Sequence, residues 1–315
     1  MSEKTYPVHY TAADIAQIET IQAWMAERSY TQAALARLSR VAASTLNQIL
    51  NGGYATSPSK QLASVASAMS HADETTADAV APVETSVFKL AMTSCTMARR
   101  YRNFSLLSAF VGTGKTFAIK HYVATHSNTY LIEATPMMTP QSLIKDLSIR
   151  IAGYGGKGSI ADRFSAVVDA LRNTDSLLII DEAETLTANQ LHVLRRLRDL
   201  ANIGIVLVGT EHLHGIIKHP HGQFDQIRSR VGFWPETVNN ITADDAAALV
   251  QSGFGKEDVP DDVVARLYQY SGGSARLLVE GLIAGMQQIR KGKPLSGEMV
   301  DFAAVNGLCL KKLGK

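Results

Sequence analysis

Short runs of consecutive apolar residues alternate with helical segments through the middle of the chain. The runs are SLLSAF at 105–110, TYLIEA at 129–134, LLII at 177–180 and IGIVLV at 203–208, and a fifth begins at Val231. A run such as LLII, with four apolar residues in a row rather than alternation with polar residues, is typical of a strand buried on both faces of a parallel sheet. The pattern therefore predicts an α/β domain built on a parallel sheet.

The segments on either side of this domain have helical spacing. Residues 71–84 (HADETTADAVAPVE) are acidic, small and threonine-rich, which indicates a linker. We therefore predict four parts: a helical domain at 1–70, a linker at 71–84, the α/β core at 85–236, and a helical lid with a C-terminal tail at 237–315.

The first helical domain contains the spacing of a helix-turn-helix between residues 31 and 52. Leu35 packs the first of the two helices, and Leu46 and Ile49 bury the second against it. The turn position that often holds glycine is Arg40, which is unfavourable if its φ is positive. Two interpretations remain open for this segment: a DNA-binding module and a helical bundle used for protein contacts.

The segment resembles the helix-turn-helix of phage repressors. That resemblance implies that the second helix presents three polar side chains to the major groove, and that Arg37 or Arg40 contacts phosphate. The three polar residues are Ser44, Asn47 and Gln48.

A glycine-rich loop, SAFVGTGKT at 108–116, follows the first apolar run and precedes a helical segment. A strand, a glycine loop and a helix N-terminus together form a phosphate-binding loop, in which Lys115 neutralises the β and γ phosphates and Thr116 holds Mg²⁺. The usual first glycine of this motif is Ala109 here. The loop residues expected to bind ATP are Val111, Gly112, Thr113, Gly114, Lys115 and Thr116.

Polar residues at the ends of two later strands complete a nucleotide site. Asp181 and Glu182 follow the third run, at the strand end where ligands bind in open α/β sheets. We expect Asp181 to enter the Mg²⁺ shell and Glu182 to act as general base on the attacking water. Thr210 ends the fourth strand and is placed to orient that water or the γ phosphate.

Two groups of basic residues lie away from this loop. Arg228 and Arg230 precede the fifth strand, and either could be an arginine finger supplied to a neighbouring subunit, Arg230 being preferred. The alternative is a pair of surface salt bridges. A glycine-rich basic segment carries Lys157, Arg163 and, just upstream, Arg150, and it is either a DNA-contacting loop in a ring or filament or a plain surface connection.

Composition narrows the location of any DNA contact. The net charge is only +2 over 315 residues, so DNA binding requires a local patch rather than a globally basic protein. The N-terminus lacks the apolar core of a signal peptide, and no apolar run approaches 18 residues, so we expect a soluble intracellular protein without membrane contact.

Two cysteines outside any CxxC pattern exclude a disulfide framework.

In combination these motifs resemble the AAA+ ATPases, and the domain order is similar to that of the phage Mu transposition protein B family. The resemblance implies a five-stranded parallel sheet in the order 5-1-4-3-2, a helical lid, and a lid arginine on the γ phosphate, here Arg276 in SGGSAR. It also implies an ATP-dependent protein that assembles as a filament or ring on double-stranded DNA with little sequence preference. Such a protein recruits and activates a transposase and hydrolyses ATP to be released.

Two other classes share part of this pattern. A replication initiator or helicase loader would carry the same ATPase motifs. A transcriptional repressor with a nucleotide-sensing domain would carry the same domain order, but Glu182 argues against it because a pure sensor needs no catalytic base.

Overall fold

A computed structural model shows two units, residues 1–82 and 83–315. It describes residues 6–27, 32–39, 41–77, 82–153, 158–218, 225–255 and 257–313. Among these residues no helix combines the length and apolarity needed to cross a lipid bilayer.

The first unit is helical. Leu35, Leu46 and Ile49 are fully buried in its core, as the spacing predicts. Arg40, in the turn between the second and third helices, lies outside the described residues, as does the side chain of Arg37. The helices are α1 Ala12–Glu27, α2 Gln32–Ser39, α3 Ala43–Leu50 and α4 Ser59–Ala77.

The last helix of this unit runs into the predicted linker, so the expected boundary at residue 71 is wrong. Residues 71–77 continue α4 to Ala77. This stretch, HADETTA, contains no glycine or proline, and its alanines and glutamate favour helix. The next described residues, 82–85, are not helical, and a new helix begins at Ser86 after the N-cap Thr85.

The second unit contains five parallel strands in the order β2-β3-β4-β1-β5, which confirms the predicted order. The strand carrying Asp181 is therefore separated from the strand before the phosphate loop by β4. The elements of this domain are α5 Ser86–Tyr101, β1 Phe104–Ser108, α6 Lys115–Thr125, β2 Thr129–Glu133, α7 Pro140–Ala152, α8 Ile160–Leu171, β3 Leu177–Asp181, α9 Ala188–Ala201, β4 Gly204–Gly209, α10 His212–Ile217, α11 Asp225–Arg228 and β5 Val231–Phe233.

Helices cover both faces of the sheet. Every residue of β1, β3 and β4 is buried. Because successive side chains point to opposite faces, Leu106 and Ile180 pack with residues of α7, α8 and α9, whereas Leu107 and Ile179 pack with those of α5 and α6. Full burial on both faces explains the unbroken apolar runs in the sequence.

The lid is helical and is joined to the first helix of the core. Thr242 and Asp245 form a capping box at the start of its first helix. The Asp245 carboxylate also accepts from the Ser86 backbone N–H (2.7 Å) and hydroxyl (2.5 Å). The lid elements are α12 Ala243–Phe254, α13 Asp261–Ser271, a π-helical segment Leu277–Ile283, α14 Ala284–Arg290, α15 Gly297–Phe302 and a second π-helical segment Ala303–Gly307.

Candidate nucleotide-binding site

The phosphate loop joins β1 to α6 and needs glycine at two positions. Gly112 and Gly114 have φ values of 80° and 100°, which favour glycine. A Cβ added at Gly112 would also lie 2.5 Å from the Ser274 hydroxyl oxygen of the lid, whereas one at Gly114 would meet no atom within 4 Å. Gly112 is therefore required by both backbone conformation and packing, and Gly114 by conformation alone.

The alanine that replaces the usual first glycine of the motif continues the sheet. The Ala109 N–H donates to the Gly209 carbonyl (3.2 Å), and the next N–H, of Phe110, donates to the Val238 carbonyl (2.9 Å). Ala109 is fully buried and is not among the described residues with positive φ. A small side chain with ordinary backbone geometry therefore fits, and the departure leaves the loop intact.

Lys115 is buried within the loop. Its Nζ donates to the carbonyls of Ala109 (2.6 Å) and Phe110 (2.9 Å). Burial lowers the pKa of Lys115, although the nearby carboxylates of Asp181, Glu184, Glu182 and Glu211 oppose this effect. One ammonium group thus lies among four carboxylates.

Thr116 and Asp181 form the candidate Mg²⁺ site. The Thr116 hydroxyl donates to Asp181 Oδ2 (2.8 Å), so both oxygens lie within reach of one ion. Burial raises the pKa of Asp181, partly offset by hydrogen bonds from Thr116 and the Glu182 N–H. Among the described residues no three or more His, Cys, Asp or Glu side chains gather as a metal site. The oxygen pair suits Mg²⁺, which uses few protein ligands and fills its shell with phosphate and water.

Glu182 stands at a sharp turn after β3. Its backbone is left-handed (φ 55°, ψ 34°) and a single 3₁₀ turn, Ala183–Thr185, follows. A non-glycine residue in this conformation is strained by about 1–3 kcal/mol and persists only where its surroundings enforce it. Burial, with the charges of Glu184 and Asp181, raises the pKa of Glu182. A raised pKa strengthens this carboxylate as a proton acceptor.

Thr210 lies at the end of β4, beside this turn. Its N–H donates to Glu184 Oε1 (3.1 Å), and its carbonyl accepts from the Ser108 hydroxyl (2.8 Å). Glu184 was not predicted as a site residue. The available signal was a second glutamate, three residues after Asp181, in DEAE.

Arg276 brings the lid to the phosphate loop. Its backbone N–H donates to the Gly112 carbonyl (2.9 Å). Its side chain is 62% exposed, with Glu280 3.9 Å away along the same helix. The side chain is therefore free to turn toward a phosphate held in the loop.

Arg228 and Arg230 are not brought to the phosphate loop of their own chain. The Arg230 carbonyl accepts from the N–H of Phe104, the first residue of β1, whereas the loop follows the last. Five strand residues separate the two ends by about 17 Å. Arg230 is held by Asp199 (Nε to Oδ1, 2.9 Å) and by the Gln226 carbonyl (2.6 Å). Arg228 is exposed.

The structure describes most, but not all, of the candidate DNA-binding residues. Lys157 lies outside the described residues. Arg163 lies in α8 rather than in the glycine-rich loop, which corrects the expectation, and Arg150, just upstream of that loop, lies in α7. Arg150 donates to the Leu131 carbonyl and Arg163 to the Ser148 hydroxyl, each at 3.3 Å. Helix capping of α8 by Ser159 and Asp162 explains the early helix start. On α3, the exposed residues include Ser44, Asn47 and Gln48.

The chain is similar to an AAA domain family and to two B proteins of phage or prophage origin. An AAA domain family matches residues 98–217. The Mu-like prophage FluMu DNA transposition protein B of Haemophilus influenzae is 25% identical over 271 residues, covering 84% of this chain and 94% of that protein. The ATP-dependent target DNA activator B of Escherichia phage Mu is 32% identical over 136 residues, covering 42% of this chain and 43% of that protein.

Among solved structures, the Walker-type ATPase of Pyrococcus abyssi superposes with a TM-score of 0.52 at 16% identity, covering 70% of this chain and 71% of that one. This likeness concerns the fold alone. With the strand order and the phosphate-loop geometry, the comparisons lead to one conclusion. The chain has an AAA+ P-loop NTPase core and is a homologue of the Mu-type transposition B proteins.

Proposed function

We propose that this protein is an ATP-dependent activator of target DNA for a transposase. It assembles as a filament or ring on double-stranded DNA in the bacterial cytoplasm, recruits and activates the transposase, and hydrolyses ATP to be released. The proposal rests mainly on one observation. The phosphate-loop residues Lys115 and Thr116 lie close to the carboxylates of Asp181 and Glu182. Similarity to a transposition protein B over 84% of the chain supports the biological role.

The charges of the site specify how ATP is bound. Lys115 exchanges its loop carbonyls for β and γ phosphate oxygens, which are stronger acceptors because they are charged. The charges of four nearby carboxylates act on this lysine, so ATP would also need Mg²⁺, which Thr116 and Asp181 would hold, to offset their repulsion. Bound Mg²⁺ supplies charge stabilisation to the transferring phosphoryl group.

The hydrolytic step uses residues on the ends of β3 and β4. Glu182 accepts the proton of the attacking water, and Thr210 orients that water or the γ phosphate. Arg276 contacts the γ phosphate from the lid. Arg230, or failing it Arg228, reaches the site of a neighbouring subunit, because about 17 Å of strand separates it from its own phosphate loop.

DNA is held mainly through its phosphates. Arg150, Arg163 and Lys157 are the candidate contacts of the ATPase core, with Ser44, Asn47 and Gln48 on the exposed face of α3. Electron microscopy with duplex DNA tests the assembly: filaments or rings should form with ATP and be lost with ADP. Identical assemblies with both nucleotides would contradict the proposal.

Glu182→Gln should separate binding from hydrolysis. The amide keeps the size of the side chain but cannot accept the proton, so ATP turnover should fall by at least ~10²-fold while Mg²⁺-ATP binding persists. Assemblies on DNA should live longer, because release follows hydrolysis. Steady-state ATPase rates, nucleotide titrations and dissociation kinetics measure the three effects. An unchanged rate would remove Glu182 from the mechanism.

DNA affinity should depend strongly on salt and weakly on sequence. Phosphate contacts release counterions, so the logarithm of the association constant should decline linearly with the logarithm of salt concentration. Deleting residues 1–82, a boundary that spares α4 from being cut, should weaken binding but leave ATP-dependent assembly. Fluorescence anisotropy on unrelated duplexes provides the measurement. Strong preference for one operator-like site would instead support a repressor.

A further inference from the structure

A single carboxylate connects the ends of the two strands that carry Glu182 and Thr210. Glu184 lies in the 3₁₀ turn that follows Glu182. Its Oε1 accepts the backbone N–H of Thr210 at 3.1 Å. The end of β4 is thus attached through this side chain to the turn that follows β3.

The last residue of β4 leaves space for this carboxylate. A Cβ built on Gly209 would lie 2.3 Å from Glu184 Oε2, closer than real contacts allow. Gly209 is not among the described residues with positive φ, so its backbone does not require glycine. The absence of a side chain at 209 therefore serves the close approach of Glu184.

The other oxygen of this carboxylate lacks a hydrogen-bond partner in the part of the chain that the structure describes. Glu184 Oε2 and the Thr210 hydroxyl oxygen are both buried and have no hydrogen-bond partner among the described residues. A buried carboxylate oxygen without a partner costs free energy, and a side chain that served only to accept the Thr210 N–H would not need to carry a charge. The cost points to a role in the reaction.

We propose that Glu184 is a positioning residue for ATP hydrolysis, which fixes Thr210 and the Glu182 turn relative to each other at the γ phosphate. The inference rests on the proposed ATPase function. Because the phosphate-loop contacts of Lys115 do not involve Glu184, its loss should lower kcat without weakening ATP binding.

The first test compares Glu184→Ala with Glu184→Gln in the full chain. A displacement of catalytic groups by about 1 Å can cost up to ~10²-fold in rate, so the alanine variant should lose between ~10-fold and ~10²-fold in kcat. The amide oxygen of glutamine can still accept the Thr210 N–H, so Glu184→Gln should recover most of that loss. Affinity for Mg²⁺-ATP, measured by titration, should change less than ~3-fold in both.

The second test approaches the same contact from the other strand. Gly209→Ala should push the Glu184 carboxylate away and lower kcat. Gly215→Ala on α10 is the matched control, since a Cβ there meets no atom within 4 Å; it should keep the wild-type rate. In the double variant Glu184→Ala/Gly209→Ala the clash with the carboxylate is relieved and only the 3.3 Å approach to Leu213 Cβ remains, so its kcat should be close to that of Glu184→Ala rather than to the product of both losses.

The outcomes separate this inference from the proposed function. A wild-type protein that does not hydrolyse ATP would overturn both. An active wild type with an equally active Glu184→Ala variant would overturn only the inference. So would lost ATP affinity in Glu184→Ala, or multiplied losses in the double variant. If Glu184→Ala does not fold, as judged by its melting curve, Glu184→Gln and Gly209→Ala decide the question.

Discussion

Lys115→Ala should abolish ATP binding and, with it, ATP-dependent assembly on DNA. Lys115 is the only basic side chain in the loop at 108–116, and without it the nearby carboxylates would repel the triphosphate more strongly. Repulsion of that kind cannot be offset by the backbone N–H groups alone. Titration with a fluorescent ATP analogue measures the first effect, and electron microscopy with duplex DNA the second.

The matched control is Lys120→Ala, which removes an exposed lysine from the same helix, α6, without touching the loop. It should bind ATP like the wild type. A Lys115→Ala protein that still assembled on DNA in an ATP-dependent way would refute the assignment of the nucleotide site.

Arg230→Ala should be inactive alone but should regain activity when mixed with Lys115→Ala. In the mixture, a Lys115→Ala subunit supplies its intact Arg230 to a neighbour whose own phosphate loop is intact. Loss of an arginine finger typically lowers the rate by ~10³-fold or more. Even a partly restored ATPase rate in the mixture would therefore be measurable above the rates of the single variants. ATPase assays in the presence of duplex DNA, over a range of mixing ratios, provide the measurement.

Arg228→Ala is the natural comparison, since this arginine is exposed two residues earlier, whereas Arg230 is held by Asp199. Full activity of Arg230→Ala would transfer the role to Arg228. Two inactive single variants without rescue in the mixture would mean that Arg230 acts within its own subunit or only supports the fold. Asp199→Ala helps to distinguish these two, because it removes one of the two contacts that hold Arg230, the other being the Gln226 carbonyl, and leaves the arginine in place.

The sheet and the phosphate loop could be predicted from the sequence, because both depend on residues that are adjacent in the chain. Strands buried on both faces are apolar along most of their length, and a loop that wraps phosphate favours glycine where φ is positive. Gly112, Gly114, Lys115 and Thr116 could therefore be assigned from spacing alone. The strand order came from resemblance rather than from the residues, and the structure confirms it.

Contacts between distant segments could not be predicted in this way. Nothing near Gly209 in sequence indicates that a carboxylate 25 positions earlier occupies the place of its side chain. Nor does the sequence show that Asp199 holds Arg230, or that Arg163 lies in a helix. Each depends on how neighbouring elements pack, and hydrophobic periodicity carries no information about which polar side chains then meet.

By itself, therefore, the sequence determined the α/β class, the nucleotide loop and the identities of Asp181, Glu182 and Thr210 at strand ends. The tertiary structure decided which of these residues are attached to one another. Strand pairing places β4 beside β3, and only that placement brings Thr210 within hydrogen-bonding distance of Glu184. A hydrogen bond requires partners within about 3 Å of each other, and such proximity between residues far apart in the chain exists only once the sheet has formed.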